Sequence, residues 1–264
     1  MVIDKYNKRA EKVNSLVCVG LDSDFKKIPV KLKQMENPQF EFNKWILDQT
    51  VEFAAAFKFN IAFYEARGEQ GIKELKMSMD YVHQKYPDIF TICDAKRNDI
   101  GNTNNGYVKS IFDDLGFDAV TLNVYPGKEA LKPFLDRADK GCIFWCRSSN
   151  PGAGEFQDLL IDGKPLWQII AEHVAASWNS NNNCMLVFGA TYPGELAVVR
   201  KLIPEMTFLV PGLGAQGGDV KATVEAGLNS EKKGMIINSS RGIIFAQSPA
   251  QEAKKLRDEI NKYR

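Results

Sequence analysis

Short apolar runs recur along the chain and are rich in the residues that favour β-strands. The runs are VCVGLD (17–22), AFKFNIA (56–62), FTICDAK (90–96), AVTLN (119–123), CIFWCR (142–147), MLVFGA (185–190), FLVPGL (208–213) and MIINSS (235–240). Helical spacing of apolar positions is found between many of them, at 43–55, 69–86, 103–114, 165–180, 193–203 and 249–262. Strands that alternate with helices predict βαβ units and a parallel sheet.

Eight such units in 264 residues predict an α/β protein with one domain, residues 1–264, folded as a (β/α)8 TIM barrel. A doubly wound sheet remains the alternative, because periodicity does not reveal whether a sheet closes. Two longer connections, 23–42 and 148–165, follow the first and fifth strands. Barrel active sites lie at the carboxyl ends of the strands, so each connection is either a lid or a plain surface insertion.

In the first three predicted strands, inward and outward positions alternate, and charged residues occupy some of these positions near the strand ends. Asp22 shares a strand face with Cys18 and Gly20, and Lys58 lies opposite a face of large apolar residues. Asp94 and Lys96 are two positions apart and therefore share a face. The pattern predicts that the four charges converge on one mouth of the barrel. A stabilising network of buried ion pairs is the alternative, but such pairs stabilise poorly after desolvation, so a functional site is favoured.

Two later segments predict an anion site. PGLGAQGGD (211–219) begins at Pro211, contains Gln216 and precedes a helix expected near Asp219; NSSRGI (238–243) places Arg241 after the eighth strand. The loops after strands seven and eight of barrels commonly bind phosphate through backbone N–H groups and a helix N-terminus. Ordinary turn chemistry is the alternative for the glycines, but Arg241 adds a fork of donors suited to phosphate oxygens.

Composition narrows the possible partners and location. The chain is 44% hydrophobic and 25% charged, with a net charge of +1, so neither nucleic acid nor an anionic membrane is expected as a partner. Five scattered cysteines without a C-x-x-C motif indicate buried free thiols, and no signal peptide or membrane span is visible. A cytoplasmic protein is expected. Only two histidines are present, so no metal site based on histidine is expected.

These motifs together resemble the orotidine 5′-monophosphate (OMP) decarboxylase family. The most specific match is D-x-K-R-x-D-I-x-x-T, at residues 94–103. Supporting matches are GLD (20–22), FKFN (57–60), SNPG (149–152), PGLGAQGGD and the SRG around Arg241. The longer loops and the SSNPG form resemble the second, less common bacterial and parasite subgroup. Ser240 stands where some members have glycine, which leaves open whether the backbone there contacts phosphate.

The resemblance implies a catalytic array of alternating lysines and aspartates, made of Lys58, Asp94, Lys96 and Asp99. It also implies a homodimer in which Asp99 and Thr103 reach into the site of the partner subunit.

The resemblance further implies how a nucleotide would be bound. Asp22 would hold ribose hydroxyls with Lys58, and Ser149 would contact the pyrimidine ring. Gln216 and Arg241 would bind the phosphate, with Pro211 at the start of the same loop.

The implied reaction is loss of CO₂ from C6 of OMP to give UMP, the last step of de novo pyrimidine nucleotide synthesis. The reaction needs no cofactor. Loss of CO₂ leaves a vinyl carbanion at C6, which Lys96 protonates. Two alternatives stay open. One is a Mg²⁺-dependent sugar-phosphate decarboxylase or aldolase, since such barrels share D-x-K-x-x-D. The other is a barrel that binds nucleotides without catalysis.

Overall fold

Eight parallel strands form a closed barrel in the computed structural model, which describes residues 1–213 and 219–264. The strands are β1 Val17–Leu21, β2 Ala56–Asn60, β3 Phe90–Arg97, β4 Ala119–Leu122, β5 Gly141–Arg147, β6 Cys184–Phe188, β7 Phe208–Pro211 and β8 Met235–Ser239. They neighbour one another in chain order, and β8 pairs with β1. All eight predicted strands and the predicted (β/α)8 fold are therefore confirmed.

Thirteen α-helices lie between and around the strands in the described part of the chain. They are Val2–Lys12, Val30–Lys33, Pro38–Thr50, Ala62–Glu65, Gly68–Lys85, Thr103–Val108, Lys128–Leu135, Gly154–Gln157, Leu166–His173, Pro193–Leu202, Val220–Gly227, Arg241–Ile244 and Pro249–Ile260. Proline occupies the first turn of three of them, where its missing N–H costs no hydrogen bond. None of the helices described is long and apolar enough to cross a membrane.

Shorter elements complete the connections. Lys109–Asp114 and Val174–Trp178 are π-helical turns that continue two of the predicted helices. Phe25–Lys27 and Pro151–Ala153 are 3₁₀ turns. A two-stranded hairpin, Leu160–Ile161 with Lys164–Pro165, lies in the connection after β5.

The structure corrects two boundaries and adds two helices of eight or more residues and four helices of four residues. The connection predicted over 23–42 ends early, because the helix predicted at 43–55 begins at Pro38 and ends at Thr50. Val2–Lys12 and Lys128–Leu135 are helices that the periodicity did not predict.

The first helix covers the amino-terminal end of the barrel. The buried Tyr6 hydroxyl donates to the carbonyl of Met235, at 2.5 Å, and Arg9 donates to the carbonyl of Ala54, at 3.3 Å. Lys5 forms an ion pair of 2.8 Å with Asp118. Ligands can therefore enter the barrel from the carboxyl ends of the strands, as in other (β/α)8 proteins.

All five cysteines are free and buried, as predicted. Burial raises the pKa of the Cys18 thiol to about 12, although the nearby ammonium of Lys58 opposes the shift. A thiol with such a pKa stays protonated and unreactive near neutral pH.

Candidate active site

Three charged side chains meet where β1, β2 and β3 end. In the barrel register Gly20 lies opposite Lys58, and Asn60 lies opposite Asp94, so successive strands present inward residues at the same level. Lys58 Nζ lies 2.8 Å from Asp94 Oδ2 and 3.5 Å from Asp22 Oδ1. The sequence pattern predicted this convergence of three strands.

Charge pairing keeps the buried members of this cluster ionised. Burial by itself lowers the pKa of Lys58, whose side chain is 4% exposed, but the carboxylates of Asp22 and Asp94 outweigh it and raise that pKa. Burial likewise raises the pKa of Asp94, but the ammonium groups of Lys58 and Lys96 outweigh it and hold that pKa well below its usual range. Both groups are therefore charged at neutral pH.

Lys96 lies at the open side of the cluster. Its Nζ is 2.6 Å from Asp94 Oδ1 and 5.6 Å from the centre of the Trp145 ring, and its side chain is 37% exposed. Its backbone has φ +48°, in the left-handed region. The pairing of β3 with β4 shifts register between Cys93 and Arg97, and such irregularities redirect side chains near active sites.

A cavity of about 280 Å³ opens beside these charges. Seven predicted site residues line it: Asp22, Lys58, Asp94, Lys96, Ser149, Pro211 and Arg241. Arg241 is the first residue of the short helix Arg241–Ile244 and is exposed. Within residues 1–213 and 219–264 no carboxylate forms an ion pair with Arg241, so its guanidinium is available to an anion in the cavity.

The remaining predicted residues lie elsewhere. Asp99 and Thr103 do not line this cavity. The Asp99 carboxylate accepts the N–H of Ile100 at 2.6 Å, and Thr103 is an exposed first residue of a helix. Gln216 lies outside the described residues.

Two glycines let polar groups approach the cavity closely. A Cβ on Gly20 would collide with the Ser240 hydroxyl and approach Asn238 Oδ1 to 3.0 Å. A Cβ on Gly189 would lie 2.9–3.0 Å from Ser149 atoms, including its backbone N. The glycine of the GLD motif therefore makes room for the Ser240 side chain at the end of β8.

Sequence reasoning did not name several residues of the cavity wall, and Thr121, Trp145 and Asn238 are among them. Asn238 is buried, and its Oδ1 has no hydrogen-bond partner in the described structure, so it can accept a bond from a ligand. Thr121 and Asn238 are polar residues inside apolar strands, the same signal that identified Lys58. Trp145 gave no such signal, because an aromatic residue in a strand is usually packed in the core.

The chemistry available at this site is electrostatic. A lysine, a carboxylate and a second lysine lie in direct contact beside the cavity, and Arg241 lines the same cavity. An ammonium at a fixed position stabilises negative charge that develops on a neighbouring atom, and it can then donate a proton to that atom. No group of three or more potential metal ligands among His, Cys, Asp and Glu occurs in the part of the chain that the structure describes.

Comparisons of the sequence and the structure with known proteins find similarity to OMP decarboxylases. The family model for the "Orotidine 5′-phosphate decarboxylase / HUMPS family" matches residues 15–256. A protein of Janthinobacterium sp. (strain Marseille), named orotidine 5′-phosphate decarboxylase, is 45% identical over 99% of this chain and 98% of its own length. A Leishmania donovani OMP decarboxylase structure aligns with a TM-score of 0.89 at 38% identity, covering 99% and 98% of the two chains.

A Leishmania donovani UMP synthase structure aligns with a TM-score of 0.91 at 40% identity; this chain covers 56% of that longer protein. The family model matches nearly the whole barrel. The similarity to the Janthinobacterium protein covers nearly the full length of both proteins. The chain belongs to the orotidine 5′-phosphate decarboxylase / HUMPS family.

Proposed function

We propose that this chain catalyses the decarboxylation of OMP to UMP, the last step of pyrimidine nucleotide synthesis. The observation that carries the proposal is the Lys58–Asp94–Lys96 array, with contacts of 2.8 and 2.6 Å, in a cavity that Arg241 also lines. Its relatives named orotidine 5′-phosphate decarboxylase support the same reaction.

The cavity supports a specific arrangement of the nucleotide. Arg241 binds the 5′-phosphate as a cation with several donors. Gln216, which follows Pro211 in the sequence, is the second phosphate ligand of the proposal. Asp22 accepts hydrogen bonds from ribose hydroxyls beside Lys58. Ser149 contacts the pyrimidine ring.

The reaction then proceeds by breaking one carbon–carbon bond. The bond between C6 and the carboxylate breaks, its electron pair remains on C6, and neutral CO₂ leaves. The Asp94 carboxylate repels the substrate carboxylate, and this repulsion disappears as CO₂ forms. Lys96 stabilises the carbanion, with about 4 kcal/mol for unit charges 4 Å apart at an effective dielectric near 20. Lys96 Nζ then donates a proton to C6 and is reprotonated from solvent.

A homodimer with shared sites is part of the proposal. Asp99 and Thr103 lie outside the cavity of their own chain, next to Ile100, which is 69% exposed. Tyr125, in the connection that follows β4, is 93% exposed. Removal of these two apolar side chains from water would favour association with another chain. We assign this surface to a second copy of the chain, whose cavity receives Asp99 and Thr103.

A cytoplasmic location is proposed as well. The five free, buried cysteines support it, because thiols persist in reducing compartments.

Turnover of OMP by the purified protein, followed by the change in ultraviolet absorbance, tests the function directly. We expect turnover to survive prolonged EDTA treatment and dialysis. Loss of activity that Mg²⁺ restores would instead favour a metal-dependent sugar-phosphate enzyme on the same scaffold. Binding of UMP without any turnover of OMP would favour a non-catalytic nucleotide-binding barrel.

A further inference from the structure

Thr121 connects the two charged residues that flank the cavity. It is the third residue of β4, next to β3 in the barrel, and is only 1% exposed. Its Oγ1 donates to Asp94 Oδ1 at 2.9 Å and accepts the backbone N–H of Lys96 at 3.0 Å. A hydroxyl has one proton, so donation to Asp94 leaves its lone pairs for Lys96.

The backbone of Lys96 needs such a partner. Lys96 has φ +48°, which residues with a Cβ rarely adopt, and it lies within the register shift between Cys93 and Arg97. The Thr121 hydroxyl receives the Lys96 N–H within this irregular part of the β3–β4 pairing. The left-handed turn then brings Lys96 Nζ to 2.6 Å from Asp94 Oδ1.

The carboxylate of Asp94 is fixed from two sides. Oδ1 accepts from Thr121 and from Lys96 Nζ, and Oδ2 accepts from Lys58 Nζ. Without the hydroxyl, the carboxylate would be held by two ammonium groups alone, and lysine side chains are flexible. Strained backbone conformations at functional sites persist when surrounding contacts determine them.

We propose that Thr121 is a positioning residue for the decarboxylation: its hydroxyl holds Lys96 in the left-handed conformation and sets the rotation of Asp94. The inference rests on the proposed function. Thr121 itself transfers no proton and acts through the geometry of the two charged groups. A displacement of about 1 Å in such a group can lower turnover by about a hundredfold.

Thr121→Val and Thr121→Ser test the inference. Thr121→Val keeps the shape and loses the hydroxyl, and we expect kcat on OMP to fall by about tenfold to a hundredfold while the Kd of UMP changes by less than about threefold. Thr121→Ser keeps the hydroxyl and should recover kcat to within about threefold of the wild type. If Thr121→Val does not fold, Thr121→Ala takes its place.

The chain offers a matched control at the other end of the barrel. Thr91 is also buried, donates to Asp118 Oδ2 at 2.9 Å and accepts the Asp118 N–H at 3.1 Å. Thr91→Val removes the same pair of hydrogen bonds away from the cavity. It should lower the melting temperature about as much as Thr121→Val, with kcat unchanged.

Three results would overturn the inference: kcat of Thr121→Val within threefold of wild type, Thr121→Ser as slow as Thr121→Val, or an equal loss of kcat in Thr91→Val.

A crystal structure of Thr121→Val adds a readout that is independent of activity. An unchanged Lys96 φ and an unchanged Lys96–Asp94 distance would also overturn it. If the wild type does not turn over OMP, the proposed function fails, and this structural comparison still decides whether Thr121 positions Lys96.

Discussion

At the scale of single residues, the cluster assigns different tasks to two lysines. Lys58 is buried between Asp22 and Asp94, so its charge is neutralised by neighbours and serves to hold them. Lys96 has one carboxylate neighbour and is partly exposed toward the cavity, so it is the lysine that can approach a substrate atom. The proton donor is therefore assigned to Lys96.

Replacing Lys96 should stop chemistry and spare binding. In Lys96→Ala both the proton donor and the charge beside the carbanion are lost, and we expect kcat on OMP to fall by at least about 10⁴-fold. UMP should still bind in isothermal titration calorimetry. Lys132→Ala is the control, because Lys132 forms an ion pair with Asp136 on an exposed helix face. A nearly normal kcat in Lys96→Ala would contradict the assigned role.

Replacing Arg241 should weaken binding much more than chemistry. A charge-assisted contact contributes about 1.5–3 kcal/mol, so Arg241→Ala should lower kcat/KM for OMP by about tenfold to a hundredfold, mainly through KM. Added guanidinium ion should restore part of the loss. Turnover of orotidine, which lacks the phosphate, should be the same in variant and wild type. An equal loss with orotidine would show that Arg241 does not act on the phosphate.

The ionised Asp94 should also make stability depend on pH in acid. Its pKa is depressed in the folded state, so its contribution is present above the unfolded value, about 3.9, and is lost as pH falls toward the lower folded pKa. We expect the free energy of unfolding in urea to decrease between about pH 4 and about pH 2. The decrease should be smaller in the double variant Lys58→Met/Asp94→Asn. Equal pH slopes in the two proteins would contradict the assignment.

At the scale of elements, Arg147 fastens the connection after β5 to the barrel. It is buried at the end of β5, with Nε 2.7 Å from Glu195 Oε2 and Nη1 2.9 Å from Asp158 Oδ1. Its guanidinium also lies 4.1 Å from the centre of the Tyr192 ring. Asp158 belongs to the connection that carries Ser149, so one cation holds that connection against the helix Pro193–Leu202.

Arg147→Met should therefore loosen the connection 148–165. The two carboxylates would lose their shared partner, and we expect a loss of about 1–3 kcal/mol in the free energy of unfolding. Limited proteolysis should cut first within 148–165. Arg137→Met is the control, since Arg137 pairs with the exposed Asp113 and Asp139, and such pairs contribute about 0–1 kcal/mol. Equal losses in the free energy of unfolding of both variants would show that Arg147 does not hold the connection more strongly than an exposed ion pair would.

Two of the longer helices were not predicted from the sequence, for physical reasons. All eight strands were predictable because a buried parallel strand is a nearly continuous apolar run. The helix Val2–Lys12 is mostly charged, and its burial depends on hydrogen bonds from Tyr6 and Arg9 to distant carbonyls. The helix Lys128–Leu135 contains Pro133 in its interior, which argues against a helix.

The candidate site, like the fold, was predictable only in part. The meeting of Asp22, Lys58 and Asp94 follows from parallel strands that end at one mouth. The left-handed turn at Lys96 and its partner Thr121 depend on a register shift between strands, and the spacing of residues in the sequence does not contain that information.

At the scale of the whole molecule, only three members of the proposed four-residue array line the cavity of one chain. Lys58, Asp94 and Lys96 are in contact, but Asp99, the fourth member implied by the family resemblance, does not line the cavity. The exposed Ile100 and Tyr125 lie on the proposed dimer surface. If this surface binds a second copy, each active site is composed of residues from two chains.

Mixing two inactive variants tests this composition. A dimer of one Lys96→Ala and one Asp99→Ala subunit contains one site with both wild-type residues, if Asp99 acts across the interface. Random exchange makes half of the dimers mixed, so about a quarter of the wild-type activity per subunit should return. Lys96→Ala mixed with Asp94→Ala is the control: Lys96 and Asp94 touch within one chain, at 2.6 Å, so no mixed dimer has an intact site and no activity should return. If exchange is verified by native mass spectrometry and the first mixture stays inactive, Asp99 does not act in the partner's site.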